Sequence, residues 1–296
     1  MSFDPYPVAR DVDNLALDPS DILLTGQVAV VTAGGGGIGQ GIAYGLAKFG
    51  ATVVALDIDV DRVAHTARVL QANYGGGSAE VVDVMDSDAL TAAIEGTHER
   101  YGRLDILVNN AGGIRPSKFL DMSERSLRRH VDINLMSVFT GTAAAAPLMI
   151  NGGRGGAIIN VASIEAFRAA PNFAVYSACK AGMVNFARTM AVELAAHAIR
   201  VNVIAPDHTI TPGNHGNRFG PVEPDQWPED PETVEKMNRM IPLGRQGVVE
   251  ECAAAAVFLA SNMSRYVTGT TLHVDGGTMA AAGWHSDGHG SWTLTP

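Results

Sequence analysis

Tyr176 and Lys180 stand four residues apart in the segment YSACK, the spacing that puts two side chains on one side of a helix. A free tyrosine titrates near ~10. An ammonium beside the ring, joined by a second positive charge, stabilises the phenolate and makes the phenol a usable acid or base. Moving its pKa by about three units takes roughly 4 kcal/mol, which two close cations in a dry pocket can supply. Ser163 lies thirteen residues before Tyr176, at the end of the apolar run GAIINVAS. A hydroxyl there can hold a substrate oxygen where charge develops. Tyr-x-x-x-Lys alone is a common pattern whose plain alternative is a solvated pair, so the decision rests on what accompanies it.

A second chemical signature lies near the start of the chain, where VAVVT runs into Ala33-Gly34-Gly35-Gly36-Gly37-Ile38-Gly39. Glycines between a strand and a helix let the backbone turn sharply, approach a pyrophosphate and offer it helix N-terminal N–H groups. Gly34, Gly36 and Gly39 fit G-x-G-x-x-G, a match that is almost automatic in a glycine run and gains weight only from the apolar strand before it and the amphipathic helix after it. Asp57 ends the second apolar run, eighteen residues past Gly39. A carboxylate there accepts hydrogen bonds from adenosine ribose hydroxyls and repels a 2′-phosphate. Lys48 is the only Lys or Arg between Gln27 and Phe49, and none follows Asp57 before Arg62, so the charge pattern favours NAD over NADP.

These groups need a scaffold. The 296 residues are 46% hydrophobic and 18% charged, which supplies a buried core and excludes global disorder. A formal net charge of −10 argues against nucleic acid and anionic membrane as partners. Cys179 and Cys252 form no Cys-x-x-Cys pair, so neither a disulfide framework nor a zinc site has support. The first residues carry acids and prolines rather than a signal peptide, and no uninterrupted apolar stretch approaches the ~18–20 residues of a membrane span. A cytoplasmic location is expected. From Gly26 onward the runs QVAVVTA, ATVVALD, AEVVDV, LDILVNN, GAIINVAS, IRVNVIAP and TLHVDG read as strands buried on both faces of a parallel sheet. Helical patterns lie between them, clearest from Ala178 to His197, where Met183, Phe186, Ala187, Met190 and Leu194 share a face. The alternation predicts an α/β doubly wound parallel sheet, a Rossmann fold, in a single domain. Residues 1–25 read as an N-terminal arm, 26–278 as the catalytic domain and 279–296 as an irregular tail. Within the domain, 207–240 is a proline-rich substrate loop with at most a short helix near its end.

Over roughly Gly26 to Gly277 the chain resembles the short-chain dehydrogenase/reductase family. The features are the segment Asn109-Asn110-Ala111-Gly112, Asn134, Ser163, YSACK, IRVNVIAP and the stretch from IPLGRQGVVEE to LHVDGG, in the family's order and spacing. The resemblance implies a catalytic tetrad of Asn134, Ser163, Tyr176 and Lys180. Tyr176 would be the general acid/base and Ser163 would orient the substrate oxygen. Lys180 would lower the phenol pKa and bind the nicotinamide ribose, and Asn134 would hold a water that relays protons. It also implies a cofactor set of Gly34, Gly36, Gly37, Ile38, Gly39 and Asp57, with Asp83 and Val84 at the adenine and Asn110, Ala111 and Gly112 along the dinucleotide. Thr209 and Thr211 would fix the carboxamide, and a homotetramer is implied. Two departures stand out. The turn begins Thr32-Ala33 where the family has Thr-Gly, a Cβ that narrows the backbone angles and is expected either to shift the turn or to be absorbed by the glycines beside it. Pro206-Asp207 replaces Pro-Gly, which is expected to put a carboxylate near the nicotinamide end.

The reading is therefore an NAD(H)-dependent oxidoreductase acting on a secondary alcohol or its ketone. Its alternatives are a 3-oxoacyl-thioester reductase and a non-catalytic NAD-binding regulatory protein. His285 and His289 in HSDGH have no obvious third ligand, so no metal is expected. Trp284 and Trp292 are expected to dock rather than wave in solvent. Phe219, Trp227, Met237 and Met240 suit a substrate-facing lid and ordinary packing equally well.

Overall fold

The computed structural model of the protein describes residues 17–211 and 231–294. Seven parallel strands form one sheet: β1 (Val28–Thr32), β2 (Thr52–Asp57), β3 (Ser78–Val81), β4 (Ile106–Asn109), β5 (Gly156–Val161), β6 (Ile199–Pro206) and β7 (Thr271–Val274), in the spatial order β3-β2-β1-β4-β5-β6-β7. Consecutive residues of a strand face opposite sides, and β1 demonstrates the result. Val30 joins the apolar layer on one face, while Ala29 and Val31 join the layer on the other. Both faces need cover, and helices supply it. On the first face lie α3 (Ser87–Tyr101), α4 (Glu124–Val131), α5 (Ser137–Gly152) and α6 (Ala174–Glu193); on the second lie α1 (Gly37–Lys48), α2 (Val60–Tyr74) and α8 (Val249–Ala260). α7 (Pro231–Met240), α9 (Thr278–Ala281) and the short hairpin strands β8 (His285–Ser286) and β9 (Trp292–Thr293) complete the described elements.

The strand order reverses direction between β1 and β4, and a crevice opens outside the carboxyl ends of the strands at such a point. Helix starts are fixed by the sequence itself. Asp59 caps α2 by accepting the N–H groups of Asp61 and Arg62 at 3.0 Å, and Asp86 caps α3 in the same way. Gly75 and Gly102 close those helices in the left-handed region, where glycine carries no Cβ penalty.

Some expectations change. Leu24, assigned to the arm, is fully buried, and its N–H donates to the Phe49 carbonyl. The tail is partly regular: Asp287 accepts the N–H groups of His289 and Ser291 and so turns β8 into β9. HSDGH is thus a hairpin turn. The YSACK helix begins at Ala174, placing Tyr176 inside its first turn. The continuous helical run Glu124–Gly152 is long and apolar enough to cross a membrane by length and composition, although 44% of its apolar window is buried within the domain. Phe219 and Trp227 lie outside the described residues.

Candidate active site

The glycine turn is stapled to the neighbouring strand. Thr32 Oγ1 accepts the N–H groups of Asn110 and Ala111, both at 3.0 Å, and Asn110 Nδ2 donates to the carbonyls of Thr32 at 3.0 Å and Ala33 at 3.3 Å. Asn110 therefore clamps the turn from the end of β4. A Cβ on Gly39 would collide with the Ala33 carbonyl oxygen and with Asn110 Nδ2, so α1 packs this closely only because Gly39 has none. Ala33 stands where the family has glycine. It adopts φ +50°, a left-handed conformation that costs a residue with a side chain about 1–2 kcal/mol.

Asp57 ends β2 beside this turn. It is buried, with Oδ2 accepting Gly35 N–H at 2.9 Å and Oδ1 accepting Asp59 N–H at 3.0 Å. Gly36 caps α1 with no side chain, leaving the first-turn N–H groups unscreened by any capping oxygen. Ile38 and Gly39 follow in that first turn. Asp83 and Val84 lie just past β3, where Asp83 accepts Met85 N–H at 2.9 Å and Val84 is buried. From the other side the segment after β6 returns over the turn. A Cβ on Gly37 would meet Thr211 Cβ at 3.4 Å, and Thr209 is buried and bridged to Gly247. A glycine cradle at a helix N-terminus, a carboxylate at the second strand end and a threonine above the turn fit a nicotinamide dinucleotide.

The chemical end gathers four distant segments. Lys180 is buried in α6, and its Nζ donates to the Val161 carbonyl at 2.8 Å and lies 5.5 Å from the Tyr176 ring centroid. Burial holds its pKa down to about 8. Ser163 follows β5, its Oγ accepting Glu165 N–H at 3.2 Å. Asn134 is fully buried in a widened π-helical turn, Asp132–Met136, between α4 and α5. Such turns recur at functional sites. Asn134 accepts Gly113 N–H at 3.0 Å and donates to the carbonyls of Gly113 and His130, each at 2.9 Å. A Cβ on Gly112 would lie 2.9 Å from Asn134 Oδ1 and 3.3 Å from Lys180 Nζ, so the two groups meet across that glycine.

The Tyr176 phenol stands beside these groups. Burial pushes it up to about 12, the Ser163 hydroxyl pulls the other way, and the carboxylates of Glu165 and Asp207 push it further up. In the protein alone desolvation is the largest influence on the phenol.

Asp207 stands near this end of the cleft. It lies close enough to raise the Tyr176 phenol, within an ionic cluster and with only 9% of its side chain exposed. Arg168 Nη2 lies 3.8 Å from its Oδ1 and 2.8 Å from Glu165 Oε1, and His208 Nε2 lies 3.5 Å from its Oδ2. Its Oδ2 has no hydrogen-bond partner among the described residues, and burial raises its pKa. The sequence reading missed this cluster, and it missed the placement of Arg62. The Arg62 guanidinium packs against Gly36, with Nη1 2.8 Å from where a Cβ would stand. Its position in the first turn after Asp57 was the available signal.

A family model described as enoyl-(acyl carrier protein) reductase matches residues 32–279. The chain is 38% identical over 259 residues to a 3-oxoacyl-(acyl-carrier-protein) reductase of Chlamydia muridarum, covering 86% of this chain and 98% of that one. A gluconate 5-dehydrogenase of Burkholderia cenocepacia, solved with NADP and tartrate, superposes with a TM-score of 0.80 at 33% identity over 88% of this chain and 98% of its own. A carveol dehydrogenase of Mycobacterium avium, solved with NAD, does so with a TM-score of 0.79 at 32% identity over 87% and 99%.

Proposed function

Because the chain belongs to the short-chain dehydrogenase/reductase family, we propose that it is an NAD(H)-dependent oxidoreductase acting on a secondary alcohol or its ketone, with Tyr176 as general acid/base. The observation that carries this reading is the convergence of Asn134, Ser163, Tyr176 and Lys180 at the carboxyl edge of the sheet, next to the glycine turn. A bound nicotinamide supplies the hydride donor or acceptor and, when oxidised, a positive ring. Tyr176 Oη takes the proton from the substrate hydroxyl in oxidation and returns it in reduction. Ser163 Oγ orients the same substrate oxygen, a donor placed where charge develops. Lys180 holds positive charge at the ring face, and at pH values below about 8 it is protonated and favours the phenolate. Asn134 braces the loop that carries Gly112 against Lys180 and is the residue we assign to the proton-relay water. Asp57 supports NAD as the cofactor, since its carboxylate suits ribose hydroxyls.

The test is Tyr176→Phe. Nucleotide binding, read by nicotinamide fluorescence, stays near wild type, while turnover across a panel of secondary alcohols and ketones falls about 10²–10⁴-fold. Wild-type turnover in that variant removes the mechanism. The second reading, a 3-oxoacyl-thioester reductase, is favoured by the likeness to the Chlamydia muridarum enzyme. A strong preference for NADPH together with a 3-oxoacyl thioester would select it. We further propose a cytoplasmic homotetramer, which light scattering on the purified protein tests.

A further inference from the structure

Glu165 and Arg168 follow Ser163 closely in the chain. The short turn Ile164–Ala166 is opened by Ser163 itself, whose Oγ accepts Glu165 N–H at 3.2 Å. That turn packs against α6, the helix that bears Tyr176 and Lys180. Arg168 then reaches back. Its Nη2 stands 2.8 Å from Glu165 Oε1 and its Nε 3.3 Å from the same oxygen, while Nη2 also lies 3.8 Å from Asp207 Oδ1. One guanidinium thus spans the turn after β5 and the segment after β6, the two stretches that carry Ser163 and Thr209. Phe167 ties down the same turn independently, its ring centroid 4.9 Å from that of His273 in β7.

We infer that Arg168 is a positioning residue for Tyr176: it clasps Glu165 and Asp207, keeps their charges off the phenol and holds the Ser163 turn to the end of β6. The inference rests on the reading above that Tyr176 is the general acid/base. Lys180 faces the phenol from its own helix, Glu165 from the turn after β5 and Asp207 from the segment after β6. Behind them, His208 Nε2 stands 3.5 Å from Asp207 Oδ2, and Asp275 acts on Arg168 from the end of β7. The Glu165 and Asp207 side chains are only 18% and 9% exposed, so water and salt screen them poorly. A carboxylate bonded to a guanidinium presents little net charge to a third group, whereas an unpaired one presents all of it. Negative charge beside a phenol opposes its ionisation. Without Arg168, two carboxylates would face the group that must become a phenolate.

The test is a pH titration of the NAD-loaded protein, following tyrosinate absorbance with the Tyr176→Phe protein subtracted so that this one phenol is read. Arg168→Gln is expected to move the Tyr176 titration up by about one pH unit, roughly tenfold less phenolate at a given lower pH. Adding Asp207→Asn to Arg168→Gln brings the titration back toward wild type, because one unmasked charge is gone. Arg168→Lys, which keeps the cation, stays close to wild type. NADH binding, read by nicotinamide fluorescence, stays near wild type throughout. Should Arg168→Gln alone not fold, the Asp207→Asn protein with and without Arg168→Gln reads Glu165 by itself, and a smaller upward shift is expected. An unchanged Tyr176 titration in the folded variants overturns the inference, as does a shift that Asp207→Asn leaves in full, or a loss of NADH binding. If the NAD-loaded wild type shows no Tyr176 ionisation below the range of a free tyrosine, the acid/base reading falls as well.

Discussion

The nucleotide half and the substrate half of the cleft are held together by different kinds of contact. Around β1, β2 and β4 the decisive bonds run to the main chain: Asp57 to Gly35 N–H, Asn110 to the carbonyls of Thr32 and Ala33, and Thr32 to the N–H groups of Asn110 and Ala111. Beyond β5 and β6, around the tetrad, ion pairs join side chain to side chain: Arg168 lies between Glu165 and Asp207, and Arg245 pairs with Glu251. Recesses of about 720 Å³ and about 480 Å³ open there, the first between α7 and the β8–β9 hairpin, the second beside Asp207, His208 and His273. A ligand gripped by backbone is read through its invariant phosphates and ribose. A ligand met by side chains is read through whatever those side chains happen to be.

The contrast can be broken most forcefully at Gly39. Gly39→Ala drives a Cβ into the Ala33 carbonyl and Asn110, so a loss of about 2–3 kcal/mol in stability is expected, together with loss of NADH binding. A normal melting curve with intact binding would show that the turn is not rigid. A smaller change, of opposite sign, is expected in the other half. Asp207→Asn removes a charge that burial opposes and keeps Arg168 on Glu165, stabilising the fold by about 1 kcal/mol at neutral pH. Because the folded pKa of Asp207 is raised, its penalty exists only where the carboxyl is ionised. The advantage of the variant therefore fades as pH falls through that raised value and vanishes below the unfolded one. A gain that grows in acid would contradict the assignment. The smallest effect returns to the nucleotide half: Ala33→Gly relieves the left-handed strain but loosens the unfolded chain, for a net gain of about 0.5 kcal/mol, visible as a slightly higher melting temperature.

Much of the nucleotide half was legible beforehand because its signals are local. All seven strands appear where runs of Val and Ile predicted them; the five inner strands are buried on both faces as expected, whereas the edge strands β3 and β7 are only partly buried. Met183 and Ala187 are buried on one face of α6, as their spacing required. The tetrad was legible through its match to a family, and its positions converge. What escaped the reading depends on where a chain folds back in space. Arg62 looked remote from the glycine turn until the cap at Asp59 aimed α2, and the burial that raises the Tyr176 phenol in the protein alone is a property of the assembled site. The tail was called irregular for its Gly and Ser content, yet one carboxylate, Asp287, accepting two N–H groups suffices to make it a hairpin. Trp284 and Trp292 sit half-exposed there, with Trp292 facing α7 across the larger recess.

The widened turn at Asp132–Met136 has a bearing on how the chain tolerates length changes. An extra residue accommodated inside a continuous helical rod rotates everything after it by about 100° relative to a uniform helix. α4 and α5 therefore present their buried faces, His130 on one and Val138, Ala145 and Met149 on the other, at angles no unbroken periodicity would give. Deleting a single residue there would regularise the rod while swinging α5 off α3, so the segment acts as a spacer whose length, more than its composition, sets the bearing of two helices.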